Sequence, residues 1–327
     1  MKYKIIDLFA GIGGMRLGFE KAAKKLSLET SCVFSSEIDK YCIETYITNF
    51  GNTNFYGDIT GLENEKKIDQ TIPDFDVLFA GFPCQPFSQA GLKKGFFDTR
   101  GTLFFWIEKI LNTKKPKAFV LENVKHLQGH DGGNTLKVIL DILRKNYYVP
   151  EPKVFNAKNF GLPQNRERIF IVGFSKKNQD FTYPDAPLLR TSVGNILEKN
   201  VSNKYTISSK LWTGHKRRRK QHRLKGNGFG YALFDKKSEY TNTISARYYK
   251  DGSEALISRG KNKNPRKLTE RECARLQGFP SDFKIPVSRV QAYKQFGNSV
   301  PINVVEAICL KLLNYLEKNK KKQNKVA

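Results

Sequence analysis

The eight residues Asp7-Leu8-Phe9-Ala10-Gly11-Ile12-Gly13-Gly14 constrain this chain more than any other stretch. They end the apolar run of residues 3–9 in a glycine-rich turn that leads straight into a helical pattern at residues 16–25. A short apolar run without polar alternation reads as a strand buried on both faces, and such strands belong to parallel sheets covered by helices. The pattern then recurs. Residues 31–35, 76–80, 118–121 and 169–174 read as further strands, and residues 40–50, 103–111 and 135–145 as helices. This alternation predicts an α/β, doubly wound fold, in which ligands sit at the carboxyl ends of the strands.

Beyond Pro184-Asp185-Ala186-Pro187 the composition changes. Residues 199–234 carry ten Lys or Arg and no acid, within a chain whose 57 Lys+Arg against 31 Asp+Glu give a formal charge of +26. Such an excess, gathered in one segment, favours a polyanionic partner: nucleic acid ahead of an anionic membrane surface. The expected organisation is a first domain of residues 1–185 plus 290–327 and a smaller inserted domain of 186–289. Residues 247–249 read as strand-like, 270–277 and 304–317 as helices, and 318–325 as a disordered basic tail. No apolar run is expected to span a bilayer, no leader is visible, and the predicted location is the cytoplasm. Five scattered cysteines, Cys32, Cys42, Cys84, Cys273 and Cys309, lack metal spacing and fit a reducing compartment.

Three groups of residues carry chemistry. In the first turn, Phe9, Ala10, Gly11, Gly13 and Gly14 allow a ligand to approach the backbone at a helix N-terminus. Glu37, followed by Ile38, ends the second strand, where a carboxylate can accept bonds from ribose hydroxyls, and Asp58, followed by Ile59, ends the next unit, where it can receive an adenine amine. Taken singly, either acid is better read as a helix N-cap or a solvated turn. The second group is Gly81-Phe82-Pro83-Cys84-Gln85-Pro86-Phe87-Ser88, a thiol held between prolines just past a buried strand. A lone cysteine is usually a small buried hydrophobe; in a proline-bracketed loop at the active edge of an α/β sheet it reads as a nucleophile. The third group is Glu122, at the end of residues 118–121, with Arg166 and Arg168, which an extended backbone would point the same way.

Together and in this order, these motifs resemble the cytosine carbon-5 DNA methyltransferase family of bacterial type. Arg271-Glu272-Cys273-Ala274-Arg275-Leu276-Gln277-Gly278-Phe279-Pro280 and Gln295-Phe296-Gly297-Asn298-Ser299-Val300 complete the match, which spans nearly the whole chain. The resemblance implies a Rossmann-like domain binding S-adenosyl-L-methionine through Phe9, Glu37 and Asp58, with Asn298 closing the methionine end. Ile38 stands where many relatives carry Trp. It also implies Cys84 as covalent nucleophile, Glu122 at ring nitrogen 3, and Arg168 with Arg166 orienting base and acid. The partner is double-stranded DNA, the target base is flipped out of the duplex, and residues 91–101 read as the closing lid. No metal is implied, and the enzyme is expected to act as a monomer, in a restriction–modification system or as an orphan methylase.

The basic segment then becomes the target-recognition region, with Gln89, Arg217, Arg218, Arg219, Arg247 and Tyr248 as candidate DNA-binding residues. Gly226-Asn227-Gly228-Phe229-Gly230-Tyr231 and Ser245-Ala246-Arg247-Tyr248-Tyr249-Lys250-Asp251-Gly252 are similar to the Dcm-type subgroup, which modifies the inner cytosine of CCWGG or CCNGG. Two rivals stand beside this reading. One is the family branch that methylates transfer RNA, in which the segment between the conserved blocks is usually short. The other is a DNA-binding protein with a dead core, against which intact Cys84, Glu122 and Arg168 speak.

Overall fold

The computed structural model describes residues 2–51, 54–83, 103–175 and 180–324. The chain divides into two compact units: Met1–Phe155, Glu167–Asp185 and Val304–Ala327 form one, and Asn156–Arg166 with Ala186–Asn303 form the other. Residues 156–166 and 290–303, assigned to the first domain from the sequence, therefore group with the second unit.

The first unit is built on the predicted α/β pattern. Its strands are β1 (Lys2–Leu8), β2 (Glu29–Ser36), β3 (Phe55–Tyr56), β4 (Val77–Gly81), β5 (Ala118–Val124), β6 (Lys153–Asn156) and, after β7 (Gln164–Asn165) in the second unit, β8 (Glu167–Phe174). They form a seven-stranded sheet in the order β3-β2-β1-β4-β5-β8-β6. Strands β3, β2, β1, β4 and β5 pair in parallel, whereas β8 runs antiparallel to β5. That reversal matters for the site, because the beginning of β8 lies beside the end of β5: Val124 pairs with Arg168.

Helices α1 (Gly14–Lys25), α2 (Lys40–Phe50), α3 (Glu65–Thr71), α4 (Leu103–Lys114) and α5 (Asn134–Arg144) connect these strands. Helix α1 buries Met15, Gly18, Phe19, Ala22 and Ala23, the three-four spacing that puts one apolar face on the sheet. Helix α4 does the same with Phe104, Ile107, Ile110 and Leu111. Each fully buried side chain of this size contributes roughly 1.5–3 kcal/mol.

The second unit has little regular sheet. It contains β7, β9 (Leu233–Phe234), β10 (Thr241–Asn242) and β11 (Leu256–Ile257), each two residues long, paired as β10-β7 and β11-β9. Its helices are α6 (Ser209–Leu224), α7 (Tyr248–Asp251), α8 (Glu270–Leu276) and α9 (Arg289–Asn298). Side chains do much of the fastening. Glu272 receives both guanidinium nitrogens of Arg266, at 2.7 and 2.8 Å, and closes a capping box with Thr269 at the start of α8.

Three further expectations are corrected here. Residues 248–251 are helical rather than strand-like, with Arg247 as the residue that caps α7. The basic tail expected to be disordered from 318 onward is instead helical as far as Asn324, at the end of α10 (Ile302–Asn324). The helical stretch Arg289–Lys320 also holds a window long and apolar enough to cross a membrane, contrary to the expectation from the sequence, but 61% of that window is buried inside the protein. It has the composition of a core helix.

Candidate active site

The glycine turn after β1 is shaped by its backbone. Gly13, the residue capping α1, has φ 82°, and a Cβ there would fall 2.3 Å from the Phe50 ring, so only glycine fits. Phe9 takes φ 53° in the same turn. Gly11 donates its N–H to Glu37 Oε2 at 2.8 Å, and Glu37 Oε1 accepts the N–H groups of Ile38 and Asp39 at 2.8 and 3.0 Å. Three backbone donors thus fix this carboxylate at the end of β2, and Oε2 keeps a lone pair for a further donor. Asp58 caps a short 3-10 turn with Oδ1, which accepts from Thr60 N–H at 2.9 Å, and its side chain is otherwise exposed.

The space these groups frame suits the cofactor. Among the described residues, a Cβ added at Gly11 would meet nothing within 4 Å. Ile38 is 72% exposed beside Glu37, an apolar side chain on which an adenine can lie. Ala10, Gly14 and Ile59, the other residues of this candidate group, are buried. Asp7, at the end of β1, is buried as well. Burial pushes its carboxyl well above the usual range, and Arg16 draws it part of the way back.

A second cluster sits where β4, β5 and β8 meet. Glu122 is opposite Gly81 in the β4–β5 register, and its Oε2 would lie 3.5 Å from a Cβ at Gly81. Arg168 Nε is 3.0 Å from Glu122 Oε1, with both side chains largely buried. Burial lowers the hold of Arg168 on its proton, and the Glu122 carboxylate opposes that shift. Asn123, to which the sequence motifs assign no role, donates Nδ2 to the Phe82 carbonyl at 2.9 Å and accepts Val124 N–H at 2.8 Å. It clamps the exit of β4, two residues before the candidate nucleophile. The sequence does carry a signal for it: an amide side chain directly after a strand-end acid.

Cys84 and Gln89, with the expected lid at 91–101, lie outside the described residues. The other four cysteines do not compete for the role of nucleophile. Burial raises the thiols of Cys32, Cys42, Cys273 and Cys309, which leaves them inert.

In the second unit Arg166 ties its own motif to Ile244 and to the 295–300 motif. This fully buried guanidinium donates to the carbonyls of Ile244, Gly297 and Ser299 at 3.0, 2.9 and 2.6 Å. Gln164 Nε2 reaches the Leu276 carbonyl and Gln277 Nε2 the Phe296 carbonyl. Gly297 packs so closely that a Cβ would fall 2.3 Å from the Ser245 backbone. The expectation that Arg166 shares a face with Arg168 is corrected: Arg166 lies between β7 and β8, and its carbonyl partners belong to the second unit. Asn298 is exposed at the C-terminal end of α9.

Of the candidate DNA-binding residues, Arg217 is exposed on α6, Arg218 pairs with Asp251 at 3.2 Å, and the Arg219 guanidinium lies 4.7 Å from the centre of the Tyr231 ring. Arg247 is exposed. Tyr248 is a correction. It is fully buried, donates its hydroxyl to the Ala255 carbonyl at 2.7 Å, accepts Leu268 N–H at 2.8 Å and packs on Tyr293, so it belongs to the core of the second unit.

Comparison with known proteins is consistent along the chain. The family model described as C-5 cytosine-specific DNA methylase matches residues 3–314. The Type II methyltransferase M1.ScrFI of Lactococcus lactis subsp. cremoris is 59% identical over 325 residues, covering 98% of this chain and 80% of that protein. The Type II methyltransferase M.NlaX of Neisseria lactamica is 60% identical over 306 residues, covering 94% of this chain and 95% of that one. Among solved structures, the Entamoeba histolytica methyltransferase EhMeth has a TM-score of 0.76, with 97% of this chain and 99% of that one covered, at 22% identity, a likeness of fold.

Proposed function

The chain belongs to the C-5 cytosine-specific DNA methylase family and is a DNA cytosine methyltransferase; we propose that it modifies a flipped cytosine within a CCWGG or CCNGG site, at the inner cytosine, as the modifying partner of a restriction enzyme. The observation that carries the mechanism is the Glu122–Arg168 pair, set against Gly81 at the mouth of the loop that bears Cys84.

Carbon 5 of cytosine is a poor nucleophile. In the proposed reaction the Cys84 thiolate adds to carbon 6, and the electron pair of the 5,6 double bond moves into the ring toward nitrogen 3 and carbon 5. Glu122 stabilises the charge at nitrogen 3 by holding a proton there, and Arg168 fixes the orientation of Glu122 and offers its remaining donors to the base. S-adenosyl-L-methionine would supply the electrophilic methyl group, held through Phe9, Glu37, Ile38 and Asp58 of the first unit. After transfer, loss of the carbon-5 proton re-forms the double bond and expels Cys84. The sequence names no side chain for that proton, and water can take it.

The Dcm-type site rests on residues 226–231 and 245–252, and on Arg247 as an exposed guanidinium for a guanine edge. Whole-genome mapping of 5-methylcytosine in cells expressing the chain tests it. The expected map shows methylation at the second cytosine of a CC-containing pentamer, and a site without a CC step sinks the subgroup assignment. In parallel, Cys84→Ser should abolish methyl transfer while retaining cofactor binding, and duplex DNA carrying 5-fluorocytosine at the target should trap the wild-type chain covalently. Normal turnover by Cys84→Ser would remove the mechanism, and methylation of transfer RNA in place of duplex DNA would move the chain to the other branch.

A further inference from the structure

Helix α6 is an odd element for a folded unit. Of its sixteen residues only His215 is buried, so packing alone does not account for its length. Its charge has an order that the sequence run 216–220 conceals. At about 100° per residue, Lys216, Arg219, Lys220 and Arg223 fall within an arc of about 100°, whereas Arg218 lies on the far side, tied to Asp251.

The four cations and Tyr231 line one open hollow of about 290 Å³. Tyr231 is held edge-on by Trp212, with ring centres 4.6 Å apart, and the Arg219 guanidinium lies over its ring at 4.7 Å. Among the described residues no acidic side chain comes within ion-pair distance of any of the four. The stripe is therefore a row of unneutralised cations on a fixed support. Its length, seven steps of 1.5 Å, is about 10 Å, close to the rise along the DNA axis of three nucleotide steps of one strand, and the long Lys and Arg side chains span the wider spacing between the phosphates themselves.

We propose that this face of α6 is a phosphate rail, in which Lys216, Arg219, Lys220 and Arg223 hold successive phosphates of one strand of the duplex and Tyr231 sets the aim of Arg219. This rests on the reading that the substrate is duplex DNA. The rail supplies affinity without sequence preference, because phosphates carry no base identity. An anionic membrane is the poorer fit, since α6 has no apolar face to insert.

The test is DNA binding by fluorescence anisotropy as a function of salt, using one duplex with the mapped site and one of equal length without it. Removing one phosphate-binding cation should flatten the log–log salt slope by about 0.9. K216Q/R219Q/K220Q/R223Q should therefore flatten it by up to about 3.6, roughly a hundredfold in relative affinity between about 50 and 200 mM salt. Both duplexes should lose affinity by the same factor. The single variant K220Q, exposed and free of strain, should flatten the slope by about 0.9, which keeps the test open if the quadruple variant unfolds. K225Q, off the stripe, should leave the slope in place. An unchanged slope in K220Q and the quadruple variant, or a loss confined to the cognate duplex, overturns the rail while wild-type methylation of duplex DNA leaves the functional reading standing. A wild-type chain that binds transfer RNA or phosphatidylserine vesicles but no duplex overturns both.

Discussion

Arg166 and Arg168 stand two residues apart in one short motif, yet the unit boundary falls between Arg166 and Glu167. Arg168 meets the Glu122 carboxylate where the end of β5 lies beside the start of β8. Arg166 meets three main-chain carbonyls inside the second unit and is sealed from solvent. The first unit draws its order from sheet and helix packing and can commit a buried charge to chemistry. The second, with two-residue strands, uses buried charge as a fastener. On the proposed mechanism, identical residue types in one motif divide between reaction and architecture, and the division can be measured.

The largest expected effect is on the architectural side. Arg166→Met removes three buried hydrogen bonds from a charged donor and should lower the unfolding free energy by about 4 kcal/mol or more, read from urea unfolding. Retention of wild-type stability with loss of turnover would reverse the assignment. Next come Glu122→Gln and Arg168→Ala, each expected to lower kcat by roughly 10²–10³-fold, with fluorescence-monitored unfolding little changed in Glu122→Gln. If Arg168→Ala unfolds the protein as readily as Arg166→Met, the contrast collapses. A smaller effect is expected from Gly297→Ala, whose new methyl group must displace the Ser245 backbone; a loss of about 1–3 kcal/mol should appear in thermal melting.

The smallest concerns a surface cluster of the first unit. Burial pushes Glu306 up, but Lys25 and Lys21 outweigh it and hold the carboxyl below its usual range. Its contribution is therefore present above the unfolded carboxylate pKa and fades as pH falls through the folded value. Both lysines are substantially exposed, so Glu306→Gln should cost less than about 1 kcal/mol at neutral pH, and the cost should vanish once the pH has fallen below the lowered folded value. Melting temperatures of the two proteins across that range decide it.

The same contrast explains which parts of the molecule are legible in the sequence. In the first unit, strands buried on both faces and helices with a three-four apolar spacing write their periods into the sequence, and strand ends point to Glu37, Asp58 and Glu122. The second unit writes little. A two-residue strand has no period, and α6 lacks the apolar stripe by which a helix is recognised. Tyr248 beside Arg247 reads as half of a base-facing pair, because its burial depends on Ala255, Leu268 and Tyr293, most of them distant in sequence. Arg166 escapes a reading by alternation, which holds only within a continuous strand, and the ladder breaks at that residue.

The antiparallel register of β5 and β8 carries a consequence for how such a protein can change over evolutionary time. Side chains alternate faces along a strand, so inserting or deleting one residue between Arg168 and Phe174 would turn Arg168 to the opposite face of the sheet and strand Glu122 without its cation. A bulge, of the kind that shifts the β1–β2 register between Ile5 and Ile6, is the half-step open to drift, so the spacing within β8 is expected to change only together with a bulge that keeps Arg168 on its face.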